Sequence, residues 1–444
     1  MRVREIQASQ PTQKLYYETL YQNAIGSYDL ANIFFELSVN ISSEHCNNAY
    51  IFPHKFLNAN SAEVFRNYLM EGQYIDEIAH FGANMVFDDA DTYTCVAQYS
   101  KKASNGFYFQ RFPFRSNFKS LMLDKSKYTF ITYEMIEKAS QLYGSNQWIL
   151  FDDEIGFAVF EKIYNQASSI KDKFSRVSQG IATGRDALYL FEGIEQENYI
   201  VGNFIKDSLE RKIEKGIMKP ILKGKDIQRY SSPNKALFIL FPYKVNEEGK
   251  AVILNETEIK TNFPNAYQWL KETEDIHRKK DNRSTNDSLW FRYARSQGVD
   301  YIEQPKLSSM EICANHPNVI FNTDDFYHNT KVYSWYKKED TTESYEYLLA
   351  IANSNLLWWF LKTTGDTLQG DARTFKTNYL NPFPLPIEVD ESSEQAITEK
   401  VKNVLAIKKQ SPSADTTHLE SQIDQLVYQL YDLTEEEIAI VENA

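Results

Sequence analysis

The stretch IDEIAHFGANMVFDDADTYTCVAQY, residues 75–99, decides the fold class of this chain. Its two ends, residues 75–81 and 93–99, are runs of strand length that are rich in apolar and β-branched residues. Upstream of them the pattern predicts a helix over 16–37 that breaks near Gly26, a buried strand over 49–52 that Pro53 closes, and a helix over 62–69. This alternation predicts an α/β sheet layer. The segment offers fewer strands than a doubly wound sheet needs.

Three parts are predicted along the chain. Residues 1–112 hold the partial sheet, residues 113–390 form a longer mixed α/β region with Gly-centred turns, and residues 391–444 are helical. Apolar residues recur at helical spacing in the last part, namely at Ile397, Val401, Val404 and Leu405, and again at Leu419, Ile423, Leu426, Val427 and Leu430. The fold class predicted is therefore mixed α/β with C-terminal helices.

Composition narrows the functional classes. The 444 residues are 42% hydrophobic and can bury a sizeable core. The sequence has no run of 18 apolar residues and no apolar signal segment, so no membrane association is expected. Cys46, Cys95 and Cys313 are far apart and the seven histidines lack ligand spacing, so we expect a cytoplasmic protein without a metal site.

Charge is segregated along the sequence. The net charge is −13, which is unfavourable for a protein that binds phosphates. Local charge differs from the total: residues 206–235 hold nine Lys and Arg against four acids, and residues 278–295 hold six against two. Such runs are often only solvated faces, and charge alone favours that interpretation.

Few motifs in this sequence indicate a function on their own. Gly180-Ile-Ala-Thr183-Gly184-Arg185-Asp186 is rich in Gly but lacks the spacing of a phosphate-binding loop, so alone it predicts a turn. Asn381-Pro382-Phe383-Pro384 has the wrong order for the Asn-Pro-Pro-Tyr/Phe tetrapeptide of amino methyltransferases. It is expected to end a packed element. From its residues alone, the chain is an α/β protein of unstated function.

A series of motifs resembles the second half of a TaqI-like, type IIG adenine-specific DNA methyltransferase. Each motif is weak singly, but their order from about residue 3 to 440 is specific. In chain order they are the segments at 3–21, 28–36, 50–57, 66–69, 85–94, 180–186, 219–227, 347–356, 382–386 and 428–438. The resemblance implies a partial Rossmann-like methyltransferase sheet over 1–112, a TaqI-like target-recognition domain over 113–390 and a closing helical segment.

The resemblance also implies what these residues do not contain. In the family, a Gly-rich loop binds S-adenosylmethionine, and the Asn-Pro-Pro-Tyr tetrapeptide polarises the amine of a flipped adenine. Both precede the motifs found here. We therefore expect no cofactor for this chain alone, and an N-terminal methyltransferase chain as a possible partner, because catalysis needs both groups in position.

Site residues follow from the resemblance and from charge. Phe87 stands where the family's aromatic for the flipped base is expected, with core packing as the alternative. Arg185 is a candidate base reader and otherwise an exposed, salt-bridged residue. Predicted DNA contacts comprise Gly180, Thr183, Gly184, Arg185, Lys223, Lys225 and Arg229.

Other residues are expected to have structural roles. Trp358 and Trp359 are expected in the core, and Asn353 and Ser354 are expected to form local hydrogen bonds or to cap a helix.

Three functional interpretations follow. The first is sequence-specific recognition of double-stranded DNA within an adenine-N6 DNA methyltransferase of a restriction-modification system, not catalytic by itself. The second is a stand-alone specificity subunit that serves a separate methylase or nuclease. The third is an unrelated α/β protein whose motif order is coincidental.

Overall fold

A computed structural model of the chain describes residues 10–87, 89, 92–166, 168–231, 237–248, 250–280, 284–299, 304–323 and 326–444. The described architecture is mixed α/β, as predicted. The first motif of the resemblance, at 3–21, lies partly outside these residues. The predicted alternation is present, with helices α1 (Pro11–Leu20), α2 (Leu30–Ile41) and α3 (Glu63–Gly72) and strands β1 (Asn48–Pro53), β2 (Ile75–His80), β3 (Thr94–Tyr99), β4 (Gly106–Arg111) and β5 (Thr129–Thr132).

The first sheet has the order β1-β3-β2-β4-β5. Strand β3 is antiparallel to β1 and β2, while β2 is parallel to β4. Strands β1, β2 and β4 therefore run in one direction, and their carboxyl ends meet at the same edge. Strand β1 pairs only with β3 among the described residues and is half-exposed, so the prediction of a buried strand was wrong. An edge strand has one side without a neighbour, which explains its exposure.

Local signals explain where the elements begin. The Asp29 carboxylate accepts a hydrogen bond from the Ala31 amide and caps α2. Arg66 of α3 is 1% exposed and donates to the carbonyls of Phe56 (2.6 Å), Ala59 (2.8 Å) and Asn146 (2.7 Å). It thereby fixes the single-turn helices His54–Leu57 and Asn60–Ala62 that follow β1.

The middle of the chain contains two larger sheets and several short strands that pair outside them. Their strands are β6 (Ser168–Ser169), β7 (Phe174–Gln179), β8 (Leu190–Glu195), β9 (Tyr199–Phe204), β10 (Arg211–Glu214), β11 (Met218–Leu222), β12 (Leu237–Leu240), β13 (Tyr243–Val245), β14 (Ala251–Ile253), β15 (Lys306–Met310), β16 (Ile312–Cys313), β17 (Val319–Asn322), β18 (Tyr327–His328) and β19 (Val332–Lys337). One sheet has the order β10-β9-β8-β12-β11-β18, the other the order β17-β15-β19-β7, and β13 pairs with β14.

Helices surround these sheets. They are α4 (Phe118–Leu121), α5 (Tyr133–Tyr143), α6 (Glu154–Tyr164), α7 (Ile170–Lys173), α8 (Asp186–Tyr189), α9 (Glu256–Asn262), α10 (Pro264–Glu272), α11 (Glu274–Lys280), α12 (Tyr345–Asn353) and α13 (Asn355–Thr364). After the strands β20 (Arg373–Thr374) and β21 (Pro384–Leu385), which flank α14 (Thr377–Leu380), come α15 (Glu391–Gln410), α16 (Thr417–Leu430) and α17 (Glu435–Glu442).

Core packing crosses the predicted boundaries. The hydrophobic core of the first sheet extends to Leu150, and β5 lies beyond residue 112. The C-terminal helices share a core with α6, α12, α13 and the four-stranded sheet, and Lys162 pairs with Glu437 across it (2.6 Å). The six-stranded sheet has a separate core. The boundaries at 112 and 390 stay predictions.

Several residue-level expectations are confirmed. Trp358 and Trp359 are each 5% exposed, within the shared core. Ser354 caps α13 by accepting from the Leu357 amide (3.1 Å). Asn353 pairs instead with strand β17, through the amide (3.0 Å) and carbonyl (2.9 Å) of Val319.

Candidate nucleic-acid interface

The Gly-rich segment forms a closed turn between β7 and α8. The Thr183 hydroxyl accepts a hydrogen bond from the Arg185 amide (3.0 Å) and donates one to the Asp186 carboxylate (2.5 Å). Gly184 is exposed and has φ +72°, and a Cβ there would lie 2.6 Å from the Cβ of Ala294. Both the left-handed backbone and the close approach require glycine at this position.

Two other segments pair with this turn through their backbones. The Arg295 amide donates to the Ala182 carbonyl (3.3 Å), and the Lys206 amide donates to the Ala187 carbonyl (3.0 Å). The side chains of Arg295 and Lys206 are exposed, and no ion pair within 4 Å is formed by either of them in the described part of the chain. The turn therefore lies between two unpaired cations.

The segment around Lys223 lies beside the same turn. The Ile181 amide donates to the His328 carbonyl (2.8 Å), while the Asn329 amide donates to the Leu222 carbonyl (3.2 Å). The turn and the end of β11 thus flank the same short strand, β18. Lys225 is exposed and Lys223 half-buried. We call Gly184, Lys206, Lys223, Lys225 and Arg295 the basic turn surface.

The position of Arg185 fits neither prediction made for it, which were a residue that reads a base and an exposed residue in a salt bridge. It is 5% exposed, and its guanidinium donates to the His277 carbonyl (2.6 Å). A side chain that faces the protein interior presents nothing to a base edge and is also not an exposed salt bridge. Gly180 and Thr183 are buried as well; a Cβ at Gly180 would lie 2.1 Å from the ring of His328. These three residues shape the turn in this structure.

Arg229 is also directed away from solvent. Its guanidinium pairs with Glu420 (2.9 Å) and Asp424 (3.7 Å) on α16, so the expectation that it faces DNA phosphate does not fit this geometry. Burial raises the pKa of Asp424 to about 6, while the Arg229 charge opposes that rise.

Other cations of the 206–235 run are paired too. Arg211 contacts Asp207 (2.6 Å) and Glu272 (2.8 Å), and Lys215 contacts Glu195. Lys235 and Arg283, which the sequence analysis counted among the basic runs, lie outside the described residues.

A cleft opens at the carboxyl ends of β1, β2 and β4, where sheets of parallel strands commonly bind ligands. It contains a wide cavity of about 470 Å³ and a narrow one of about 40 Å³ that share Arg111, Leu150, Lys362 and Thr363. The far wall comes from α13 and from the segment that leads to β20. The cleft therefore lies between the first sheet and the rest of the chain.

Phe87 lies in the connection that leaves β2 at this cleft. It is 45% exposed, so the alternative that it closes the core is wrong. Asn84 fixes the base of the connection: its amide donates to the carbonyls of Phe81 (2.9 Å) and Pro113 (2.9 Å). The next residue, Asp88, lies outside the described residues. An exposed aromatic ring on an anchored loop leaves the role of base stacking as a prediction.

Two stacked histidines line the narrow cavity. The ring centroids of His54 and His80 are 4.4 Å apart, and the rings are nearly parallel. Burial, and to a smaller extent the positive charge of Arg111, lowers the pKa of His54 to about 3. Burial likewise lowers the pKa of His80 well below its ordinary value. Both rings are therefore neutral at physiological pH, and any positive charge here comes from Arg and Lys.

Sequence reasoning missed several residues of these two sites. Arg295 was counted only as a member of a basic run, and Lys206 likewise. Arg111, Lys362 and Arg373 were not singled out, because they are distant in sequence and converge only in the fold. Within the described part of the chain, no group of three His, Cys, Asp or Glu side chains could hold a metal ion. No helix there is long and apolar enough to cross a membrane.

Two family models match the chain. Residues 2–87 match the Eco57I restriction-modification methylase family, and residues 219–385 match the TaqI-like C-terminal specificity domain. Over these two segments the chain is therefore similar to restriction-modification methylases and to the TaqI-like specificity domain.

Individual relatives agree with this assignment. The chain is 26% identical over 405 residues to the type II restriction enzyme and methyltransferase RM.Eco57I of Escherichia coli, a match that covers 87% of the chain and 39% of the relative. It is 22% identical over 310 residues to the type II methyltransferase M.BstVI of Geobacillus stearothermophilus, with 68% and 47% covered. The chain thus spans between two fifths and one half of the length of these relatives.

A solved structure has a similar fold. The type IIL restriction-modification enzyme MmeI, determined in complex with DNA, superposes with a TM-score of 0.61 at 12% identity. The match covers 97% of this chain and 54% of MmeI. At this identity the likeness concerns the fold alone.

Proposed function

We propose that this chain provides DNA recognition within an adenine-N6 DNA methyltransferase of a restriction-modification system. One observation carries the proposal: around the Gly180–Asp186 turn lie cations from three separate segments, namely Lys206, Lys223 with Lys225, and Arg295, none of which forms an ion pair with another described residue. Cations that face solvent without partners are available to phosphate, whereas ion-paired ones are not. The match of residues 219–385 to a specificity domain supports the same function.

The first sheet contributes the second part of this function. Phe87 is half-exposed on the connection that follows β2, and an exposed aromatic ring is the kind of side chain that can stack on a base extruded from the duplex. Adenine as the target is proposed from the resemblance carried by the order of motifs, and S-adenosylmethionine as the methyl donor of the intact enzyme is supported by the match to a methylase family. The 444 residues contain neither the donor loop nor the catalytic tetrapeptide, so the proposal assigns methyl transfer to the chain together with a methylase segment that carries both.

Strand β1 is the proposed junction with that segment. Its second edge pairs with no strand of the described residues and offers backbone groups for a further strand, and Ile51 (40%), Phe34 (52%) and Ile41 (77%) are exposed on β1 and the neighbouring α2. A methylase segment that continued the sheet would cover this apolar surface. The alternative function, a stand-alone specificity subunit, would require that β1 remain an edge strand.

The experiment is a binding titration of the chain with labelled duplex DNA, followed by calorimetry with S-adenosylmethionine. The proposal expects duplex binding that weakens with salt, and no donor binding by the chain alone at micromolar concentration. Absence of duplex binding at about 50 mM salt would contradict DNA recognition. One-site micromolar donor binding would contradict the need for a second segment.

A further inference from the structure

The narrow cavity of the cleft has an unusual lining. Arg111 ends β4, and Lys362 and the Thr364 hydroxyl come from α13. Its lining residues include His54 and His80 but no Asp or Glu. The wide cavity next to it, in contrast, has Asp152, Asp153 and Asp371 among its lining residues. Arg111 and Lys362 line both cavities, whereas Arg373 lines only the wide one, so the narrow cavity has two lining cations and no lining carboxylate.

Counterions only partly neutralise the cations there. Arg373 is 2% exposed and contacts the Asp371 carboxylate (3.0 Å), which also pairs with Lys362. Arg111 approaches Asp152 only to 3.5 Å, and that aspartate is half-exposed. Three cations therefore share two carboxylates, one of which is loosely held. Burial, with the charges of Arg373 and Arg111, lowers the pKa of Lys362, as expected where cations are crowded.

Two buried polar atoms without partners among the described residues lie in the walls of the cleft, one at each cavity. His54 is 6% exposed, and its Nδ1 has no hydrogen-bond partner among the described residues. The Nε of Arg373 is buried and also lacks a partner in that part of the chain. Buried polar atoms are almost always satisfied in native proteins, so orphaned ones point to a group that binds there.

His80, which stacks on His54, has a defined tautomer. The Gly82 amide donates to Nδ1 of His80 (3.0 Å), so the proton of this neutral ring is on Nε2. The cavity of about 40 Å³ has room for about three water molecules, which is the size of one tetrahedral oxyanion head. It adjoins the wide cavity, through which such a group can enter.

We propose that Arg111 and Lys362, with Arg373 beside them in the wide cavity, form a binding site for a phosphate group of the DNA backbone where the narrow cavity opens into the wide one. The inference rests on the proposed function for the identity of the phosphate donor. It deepens that function, because a phosphate held here would fix the strand beside the proposed base-stacking ring. The site would act by position and charge, without reading sequence.

The test uses Lys362→Met, which removes the charge and keeps the length of the side chain, and Lys402→Met on exposed α15 as the matched control. For the full chain, thermal unfolding in inorganic phosphate is compared with unfolding in chloride of equal ionic strength. Duplex DNA affinity is then measured against salt. Arg111→Gln replaces Lys362→Met if the latter does not fold.

Phosphate should raise the unfolding temperature of the wild type and of Lys402→Met but not that of Lys362→Met. Lys362→Met should also lower DNA affinity roughly eightfold at about 0.1 M salt and reduce the log–log salt slope by about 0.9, the effect of one lost phosphate contact. Equal slopes for wild type and Lys362→Met would overturn the proposal while leaving DNA recognition intact. A phosphate effect without any duplex binding would overturn DNA as the source, and with it the proposed function.

Discussion

Lys225 and Arg229 lie four residues apart in one basic run, yet they belong to different surfaces. Lys225 is exposed in the basic turn surface, whereas the Arg229 side chain is only 14% exposed and pairs with Glu420 and Asp424 of α16. The cleft gives a third case, where Arg111, Lys362 and Arg373 share too few carboxylates. The difference teaches that a count of basic residues does not give the number of cations available to DNA. What matters is which carboxylates the fold brings within 4 Å.

The largest effect is expected from removing the unpaired cations together. Replacing Lys206, Lys223, Lys225 and Arg295 with Ala should lower affinity for duplex DNA of any sequence by roughly a thousandfold or more at about 0.1 M salt, since each lost phosphate contact costs about eightfold. Fluorescence anisotropy with random duplexes measures this. Replacement of the paired residues Arg211 and Lys215 is the matched control. If the control variant loses as much affinity for duplex DNA as the quadruple variant, unpaired and paired cations do not differ in their contribution to binding.

Arg229 should act on stability instead. Arg229→Ala leaves Asp424 and Glu420 without their buried cation, and the loss of one partner of a buried pair costs about 3 to 5 kcal/mol. Urea unfolding measures the change in free energy, with Lys225→Ala as an exposed control that should change it little. Normal stability in Arg229→Ala would show that the contact with α16 is not formed in solution.

The same pair predicts a pH dependence. Because the folded pKa of Asp424 is about 6 and its ordinary value is 3.8, the folded state binds this proton more tightly than the unfolded state. Stability relative to Asp424→Asn should therefore fall as pH rises from about 4 through 6, by up to roughly 3 kcal/mol, at 1.36 kcal/mol per pKa unit. Unfolding midpoints of both proteins across this range measure the difference. A flat difference would mean that Asp424 is not buried as described.

Arg185 should give the smallest effect. Arg185→Ala removes the charged hydrogen bond to the His277 carbonyl and should destabilise the fold by about 2 kcal/mol. Affinity for random and preferred duplexes should change equally. A selective loss on a preferred site, at unchanged stability, would restore the interpretation of Arg185 as a base reader and require this turn to rearrange on DNA.

Local pattern was sufficient for much of the fold. The strands at 75–80 and 94–99, the helices after 391 and the buried Trp358 and Trp359 follow from periodicity and apolar content. The exposure of β1 did not, because an apolar strand at a sheet edge has the same local pattern as a central one. The position of β5 beyond residue 112 depends on long-range pairing with β4, which no short window contains.

The site was harder to predict for the same reason. Gly184 and Lys225 are exposed and Lys223 is half-buried, so their predicted role in DNA contact stays a prediction. The burial of Arg185 and Arg229 depends on His277 and on α16, both distant in sequence. Arg111, Lys362 and Arg373 share no motif and meet only because strand ends of the first sheet face α13.

The most direct test of the central claim is the salt slope of duplex binding for three proteins measured together: wild type, Lys223→Ala with Lys225→Ala, and Arg229→Ala. If unpaired cations on the basic turn surface hold the DNA, the double variant should lose about 1.8 from the log–log slope, while Arg229→Ala, at a temperature where it remains folded, keeps the wild-type slope. A double variant with an unchanged slope, or an Arg229→Ala slope reduced by about 0.9, would contradict the account.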